Sequence, residues 1–156
     1  MKKLYIIRHA KSDWNDTSID DYDRPLNKRG EANAPMMGER LKEQGVCPDL
    51  IISSPALRAI TTAELIAKQI GYEKVIIPNQ YIYDAYVTAL QEVVSYINDS
   101  NDTVFLVGHN PGVSALAYML CGSKESFPTT AILELEFSCD SWMDVSKENS
   151  KVISYD

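Results

Sequence analysis

A chain of 156 residues has room for about one domain with a respectable core, so a single domain over residues 1–156 is expected. Hydrophobic residues make up 45% and charged residues 24%, near the averages for globular proteins, and no run is long or apolar enough to cross a membrane. The net charge of -7 argues against nonspecific binding to nucleic acid or to an acidic membrane, because both need a basic surface. An anionic ligand would have to meet local positive charge, and Arg8, Arg24 and Arg58 offer it. Cys47, Cys121 and Cys139 are odd in number and lack metal-ligand spacing, which fits a reducing cytoplasm. Met1-Lys2-Lys3 is followed by an apolar run broken at once by Arg8, His9 and Lys11, so no export signal is expected.

Residues 3 to 8 read as a short buried strand, followed by a polar, turn-rich loop through Asp23-Arg24-Pro25. Asn27 is a candidate N-cap for a helix carrying Ala34, Met37, Gly38 and Leu41 on one face, with Gly45 as its stop. Asp49 to Ser53 reads as a second buried strand, after which Ser54-Pro55 offers a cap and a proline at the first helical position. Ala59, Thr62, Ala63, Ile66 and Ile70 keep helical spacing up to Gly71. Val75-Ile76-Ile77 predicts a third strand ended by Pro78, and Leu90, Val93, Val94 and Ile97 predict a helix capped by Thr88. Thr103 to Gly108 reads as a strand, and Asn110-Pro111 repeats the cap-and-proline pattern before a helix that Gly122 ends. Leu133, Leu135 and Phe137 alternate with Glu134 and Glu136, the pattern of a strand with one wet face and an edge open to pairing. Lys151 to Tyr155 suggests a last edge strand, beyond a surface loop at 146–151.

Strands separated by helices predict a three-layer α/β sandwich, with a mostly parallel central sheet, helices on both faces and antiparallel edge strands. The chain has only two histidines, His9 and His109, and each follows an apolar strand at its carboxyl end. Ligands of such sheets bind beyond those ends, so the two imidazoles are candidates for one crevice. Arg8 precedes His9, and Arg58 falls in the first turn of the helix after Ser54. A guanidinium donates paired hydrogen bonds to phosphoryl oxygens and stays charged at any working pH. A neutral histidine attacks phosphorus when a backbone carbonyl holds its other nitrogen as N–H, and a second, protonated histidine would stabilise the equatorial oxygens.

Four segments carry a family resemblance. Leu4-Tyr5-Ile6-Ile7-Arg8-His9-Ala10-Lys11 resembles the first-strand signature of the histidine phosphatase superfamily. Asp21-Tyr22-Asp23-Arg24-Pro25-Leu26-Asn27-Lys28-Arg29-Gly30, Ser53-Ser54-Pro55-Ala56-Leu57-Arg58-Ala59 and Val107-Gly108-His109-Asn110-Pro111-Gly112 continue it in the expected order. The pattern is most similar to the short SixA-type phosphohistidine phosphatases, within a phosphoglycerate mutase-like fold. The resemblance implies that His9 is the nucleophile, that Arg8, Arg58 and His109 complete a phosphate pocket, and that no metal or other cofactor takes part. The sequence also lacks a P-loop and an HExxH-like ligand pair.

Larger relatives carry a carboxylic acid between the second motif arginine and the second histidine, and the matching residue here is Asp84, the candidate proton donor. Asp13, Asp16 and Asp23 are less favoured, and the Asp20-Asp21-Tyr22-Asp23 cluster lacks the glycine and distal glutamate of a calcium loop. The segment from Arg58 to His109 is too short for the substrate cap of small-molecule mutases, which suits a side chain presented by another protein. The reading is a cytoplasmic, monomeric phosphatase of protein phosphohistidine. A phosphatase of small phosphorylated metabolites and a noncatalytic phosphate-binding module are the alternatives.

Overall fold

A computed structural model describes residues 1–156. Its apolar runs form β1 (Lys2–Arg8), β2 (Leu50–Ser53), β3 (Ile77–Pro78) and β4 (Thr103–Gly108), which pair in parallel. Two further strands, β5 (Ile132–Phe137) and β6 (Ser150–Tyr155), add antiparallel pairs, giving one sheet in the order β3, β2, β4, β1, β5, β6. Side chains alternate between the two faces, as the pleat requires. Leu4, Ile6, Val104 and Leu106 pack against α3 (Val87–Ser95) and α4 (Gly112–Cys121). Tyr5, Ile7, Phe105 and Val107 pack against α1 (Lys28–Glu43) and α2 (Leu57–Ile70). This is the three-layer arrangement the alternation of strands and helices predicts, and none of its helices is long and apolar enough to cross a membrane.

The helix stops follow local chemistry. The Asn27 side chain accepts the Gly30 N–H at 2.9 Å, and Gly71 and Gly122 end α2 and α4 in the left-handed region. The starts of the other helices differ from expectation. Helix α2 begins at Leu57, because Ser54 Oγ turns the chain by accepting the Ala56 N–H at 3.2 Å. Helix α3 begins at Val87 with Tyr86, not Thr88, at its N-cap. Asn110 does not cap α4, since its side-chain amide donates instead to the carbonyls of Ser126 and Phe127 at 2.7 and 3.0 Å.

Two strands also depart from the sequence pattern. Strand β3 is reduced to Ile77–Pro78 at the sheet edge, where Val75 stands 76% exposed and Pro78 needs no outer partner. Strand β5 has no free edge, because β1 and β6 flank it, and Glu134 on its supposedly wet face is buried. Ser154 donates to that carboxylate at 3.2 Å and Lys3 Nζ lies 3.9 Å away. The chain after β5 closes the bottom of the core with Trp142, whose indole N–H donates to the Asn101 carbonyl at 2.7 Å.

Helix α1 lies close against the loop that leaves β1. A Cβ at Gly30 would fall inside contact distance of the Lys11 carbonyl oxygen, which belongs to backbone and cannot swing away. Gly30→Ala is expected to destabilise the fold by about 2 kcal/mol, as overpacking against fixed groups does, despite the alanine's better helix propensity. Denaturant titration beside the wild type measures it; equal midpoints would show that the loop gives way freely.

Candidate active site

Parallel pairing of β1 with β4 places Arg8 opposite Gly108, so the next residue of each strand, His9 and His109, leaves the sheet at one point. Their ring centroids are 5.1 Å apart. His9 Nδ1 lies 2.7 Å from the Ala10 carbonyl, which accepts only from an N–H, so that nitrogen carries the hydrogen and Nε2 keeps its lone pair. Burial, opposed in part by the Ala10 carbonyl and reinforced by Arg58, Arg8 and Arg24, lowers the His9 pKa to about 4. His109 Nε2 lies 2.7 Å from Ser54 Oγ. Ser54 Oγ, which also accepts the Ala56 N–H, has one proton to give; directed at Nε2, it puts the His109 hydrogen on Nδ1. Burial, followed by the proximity of His9 and Arg58, lowers the His109 pKa to about 3. Both imidazoles are therefore neutral at neutral pH, and the protonated second histidine expected from the sequence is not the resting state.

Three arginines surround this pair. Arg8 donates to the Phe127 carbonyl at 2.9 Å, across from the turn that precedes β5. Arg58, in the first turn of α2, donates to both the backbone carbonyl and the carboxylate of Asp21, at 2.6 and 2.9 Å. Arg24 donates to the other Asp21 carboxylate oxygen at 2.8 Å and to Ser12 Oγ, with its guanidinium carbon 3.5 Å from the centre of the Trp14 ring. Asp21 belongs to a single 3-10 turn, Asp21–Asp23, and its carboxylate also accepts the Tyr83 hydroxyl at 2.8 Å. Burial pushes this carboxyl up, but hydrogen bonds from Arg24, Tyr83 and Arg58 outweigh that and hold it well below the usual carboxylate range.

The loop carrying these groups is fixed at both ends. Ser12 bridges to Leu26, and the Lys11 carbonyl accepts the Asn27 N–H at 3.0 Å. Thr62 ties the loop to α2, since its hydroxyl accepts the Ala10 N–H at 2.9 Å and donates to the Arg58 carbonyl at 2.7 Å. Beside His109 opens a cleft of about 480 Å³, bordered by Asp21, Arg58, Tyr83, Asp84 and His109. The buried side-chain nitrogens without a hydrogen-bond partner are Arg8 Nε, Arg24 Nε, Arg58 Nε and His109 Nδ1, all in this one cluster. Buried donors left unpaired are costly, and here they are concentrated where an anion would satisfy them.

The pattern of the histidine phosphatase superfamily (branch 1) matches residues 4–80. An uncharacterized chloroplastic protein of Arabidopsis thaliana is 34% identical over 150 residues, which cover 90% of this chain and 69% of that one. The chain belongs to the histidine phosphatase superfamily. Among solved structures, a candidate phosphohistidine phosphatase SixA from Agrobacterium tumefaciens superposes with a TM-score of 0.85 at 25% identity, covering 99% of this chain and 96% of that one. The protein histidine phosphatase SixA complexed with tungstate shares the fold with a TM-score of 0.83 at 22% identity, covering 98% and 95%.

This histidine phosphatase, a hydrolase acting on phosphoryl groups, brings Arg8, His9, Arg58 and His109 to one crevice. Asp84 borders the same cleft but stands exposed, with its backbone in the left-handed region at φ 50°. Asp13 and Asp16 face solvent-side turns of their own loop, bonding Asn15 and Ser18. Sequence reasoning named Arg24 as a local charge and Ser54 as part of a junction beside Arg58, and it missed Asp21, Thr62 and the Phe127 carbonyl as partners of the site. The second motif held a usable signal, because Asp21 and Arg24 stand three residues apart in a tight turn, the spacing that lets them pair.

The depressed imidazoles make a pH prediction. Between pH 6.5 and about 4 the unfolded chain protonates its histidines while the folded one does not, so stability present above pH 6.5 is lost as the pH falls through that window. His9 alone is worth about 3 kcal/mol of this loss by the linkage relation. Proton NMR of the two imidazoles is expected to show no inflection between pH 5 and 8, the mark of burial; a midpoint near 6.5 would refute it.

Proposed function

We propose that this histidine phosphatase works through a covalent phosphohistidine on His9 and acts on phosphohistidine presented by another protein. The observation that carries the reading is the His9 ring itself, with Nδ1 held by the Ala10 carbonyl, Nε2 free, and the charges of Arg58, Arg8 and Arg24 acting on it. In the first step the Nε2 lone pair attacks phosphorus, the bond from phosphorus to the carrier breaks, and the carrier leaves with its electron pair and gains a proton. In the second, water attacks phosphorus, the bond to Nε2 breaks, and the proton of the water is released with the phosphate. Arg8, Arg24 and Arg58 offset the charge of the equatorial oxygens, and neutral His109 adds its Nδ1–H. Once a dianion is bound beside it, His109 is easier to protonate, which strengthens that donor in the transition state.

The substrate class follows from the walls of the cleft. Between Arg58 and His109 the chain is spent on the rest of α2, the short β3, α3 and β4, leaving a turn at 79–86 as the wall and no separate lid. Such an opening admits a side chain on a protein surface. The Agrobacterium neighbour, itself described as a candidate phosphohistidine phosphatase, supports the same class. A cytoplasmic location, suggested by three free cysteines, and a single monomeric domain over residues 1–156 complete the proposal. Asp84 at the cleft keeps a second reading in play, hydrolysis of small phosphomonoesters with Asp84 as proton donor.

The test offers the protein a phosphohistidine-bearing protein and a panel of phosphate esters, beside His9→Ala. Loss of both activities by on the order of 10³-fold or more is expected for the removed nucleophile. Undiminished turnover in His9→Ala would sink the mechanism, and fast hydrolysis of esters with none of phosphohistidine would replace the substrate class. Asp84→Asn is expected to lower ester hydrolysis by roughly 100-fold, the worth of a general acid, and to affect phosphohistidine far less. Equal losses on both substrates would remove Asp84 from the role.

A further inference from the structure

The charges of the site are arranged in two layers. The side chains of Arg24 and Arg58 are only 7% exposed and lie inward, Arg58 lining the cleft, whereas the carboxylate they share, on Asp21, is 51% exposed and lines it nearer solvent. Asp84, next to Tyr83, borders the same cleft and is also exposed. Around the two neutral imidazoles, three guanidinium groups against the one carboxylate paired with them leave two positive charges, and Asp84 stands unpaired outside this set. A single phosphoryl dianion closes that balance. Any further negative charge on the carrier would sit at the mouth, nearer the Asp21 and Asp84 carboxylates than the arginines beneath.

We propose that Asp21 is a specificity-determining residue, selecting phosphoryl groups on neutral or cationic carriers and rejecting carriers with a second negative charge. The inference rests on the phosphoryl pocket described above and not on the identity of the carrier as histidine. Its physical basis is an electrostatic field that acts on one part of the substrate only. The phosphoryl group is common to all substrates, and its attraction to the arginines cancels when two substrates are compared. What remains is the interaction between the carrier's charge and the outer carboxylates. The three hydrogen bonds to Asp21 from Arg24, Arg58 and Tyr83 hold its carboxylate in one place and keep it ionised. The Tyr83 ring, edge-on to His109 with centroids 5.6 Å apart, keeps that wall close to the reacting group.

Matched ligands read this out without turnover. Phenylphosphonate, 4-carboxyphenylphosphonate and 4-(aminomethyl)phenylphosphonate, whose phosphorus–carbon bond is not hydrolysed, share a shape and differ in carrier charge. Their dissociation constants are measured by calorimetry at a pH where each phosphonate group is a dianion. In the wild type the aminomethyl ligand is expected to bind tightest and the carboxylate ligand weakest; equal or reversed affinities overturn the proposal, and this arm needs no variant. In Asp21→Asn, all affinities shift as the arginines lose their anchor, but the penalty of carboxyphenyl over phenyl is expected to shrink by roughly five- to tenfold, the scale of one charge acting across a partly wet cleft. Asp21→Glu keeps the charge and is expected to hold the wild-type ratio within about twofold. A ratio unchanged in Asp21→Asn would reduce Asp21 to an anchor for Arg24 and Arg58 and refute the specificity role. Because only binding is measured, failure here is separable from failure of the phosphohistidine reading, which His9→Ala and the substrate panel decide.

Discussion

The parallel pairing of β1 with β4 is the constraint on which the rest of this molecule depends. Parallel strands end on the same side of a sheet, and here the register sets Arg8 opposite Gly108 with no slip. The His9 N–H then donates to the Gly108 carbonyl at 3.0 Å, so even the first residue beyond β1 is anchored to its neighbour. A shift by one residue would turn Arg8 to the other face and send the apolar side chains of β1 toward the wrong helices. Both hydrophobic layers, built on Leu4 and Ile6 on one face and Tyr5 and Ile7 on the other, oppose such a slip. Core packing therefore also fixes the separation of the two imidazoles, and the precision of the site is inherited from the sheet.

Concentrating positive charge in a chain of net charge -7 has its own cost. Arg8 shows it directly: burial and the nearby Arg58 charge both pull its pKa down from the ordinary value. Fixed acceptors offset part of the penalty. The Phe127 carbonyl takes a hydrogen from Arg8, the Ser12 hydroxyl from Arg24 and the Asp21 backbone carbonyl from Arg58, while the Asp21 carboxylate takes one from each of Arg24 and Arg58. Ion pairs of this kind, buried on the arginine side only, contribute little net stability, because desolvation of the cations cancels most of the attraction, so their value lies in geometry. Asp21 orients two cations at once and leaves their Nε–H groups unpaired. The same carboxylate is thus an anchor seen from the arginines and a filter seen from the mouth.

What the sequence revealed and what it hid divide along the distance over which the information acts. Strands such as Thr103–Gly108 are legible because burial on both faces leaves an unbroken apolar run, and Gly71 and Gly122 mark helix ends through backbone geometry alone. His9 and His109 are legible as a pair because each closes such a run. The partners of those residues are not. Ser54 meets His109 across 55 positions, and Arg8 meets the Phe127 carbonyl across 119, contacts that only the finished sheet creates. Backbone acceptors are invisible for a further reason, since every residue has a carbonyl and no side chain advertises which one is used. The shortened β3 and the covered face of β5 failed in the opposite direction. Local patterning there was clear, but sheet position decided exposure, with β3 at the rim and β5 enclosed by β1 and β6.

The neutrality of both histidines bears on how a leaving group departs. A neutral His9 is the form that attacks, and a neutral imidazole at His109 is no acid for the carrier. The arginines hold their protons at any working pH. The proton that accompanies the carrier therefore comes from Asp84, from solvent at the open mouth, or from the carrier itself. An alkoxide needs that proton delivered in the transition state, which demands a well-placed acid, and Asp84 is exposed and without a hydrogen-bonded partner to fix it. A phosphorylated imidazole meets the requirement differently, because its distal nitrogen takes a proton from water before the bond to phosphorus breaks. It then enters as a cation, the charge that the Asp21 and Asp84 carboxylates favour. The weakness of the proton donor and the sign of charge at the mouth thus point to the same carrier, one that brings its own proton and is drawn in by it.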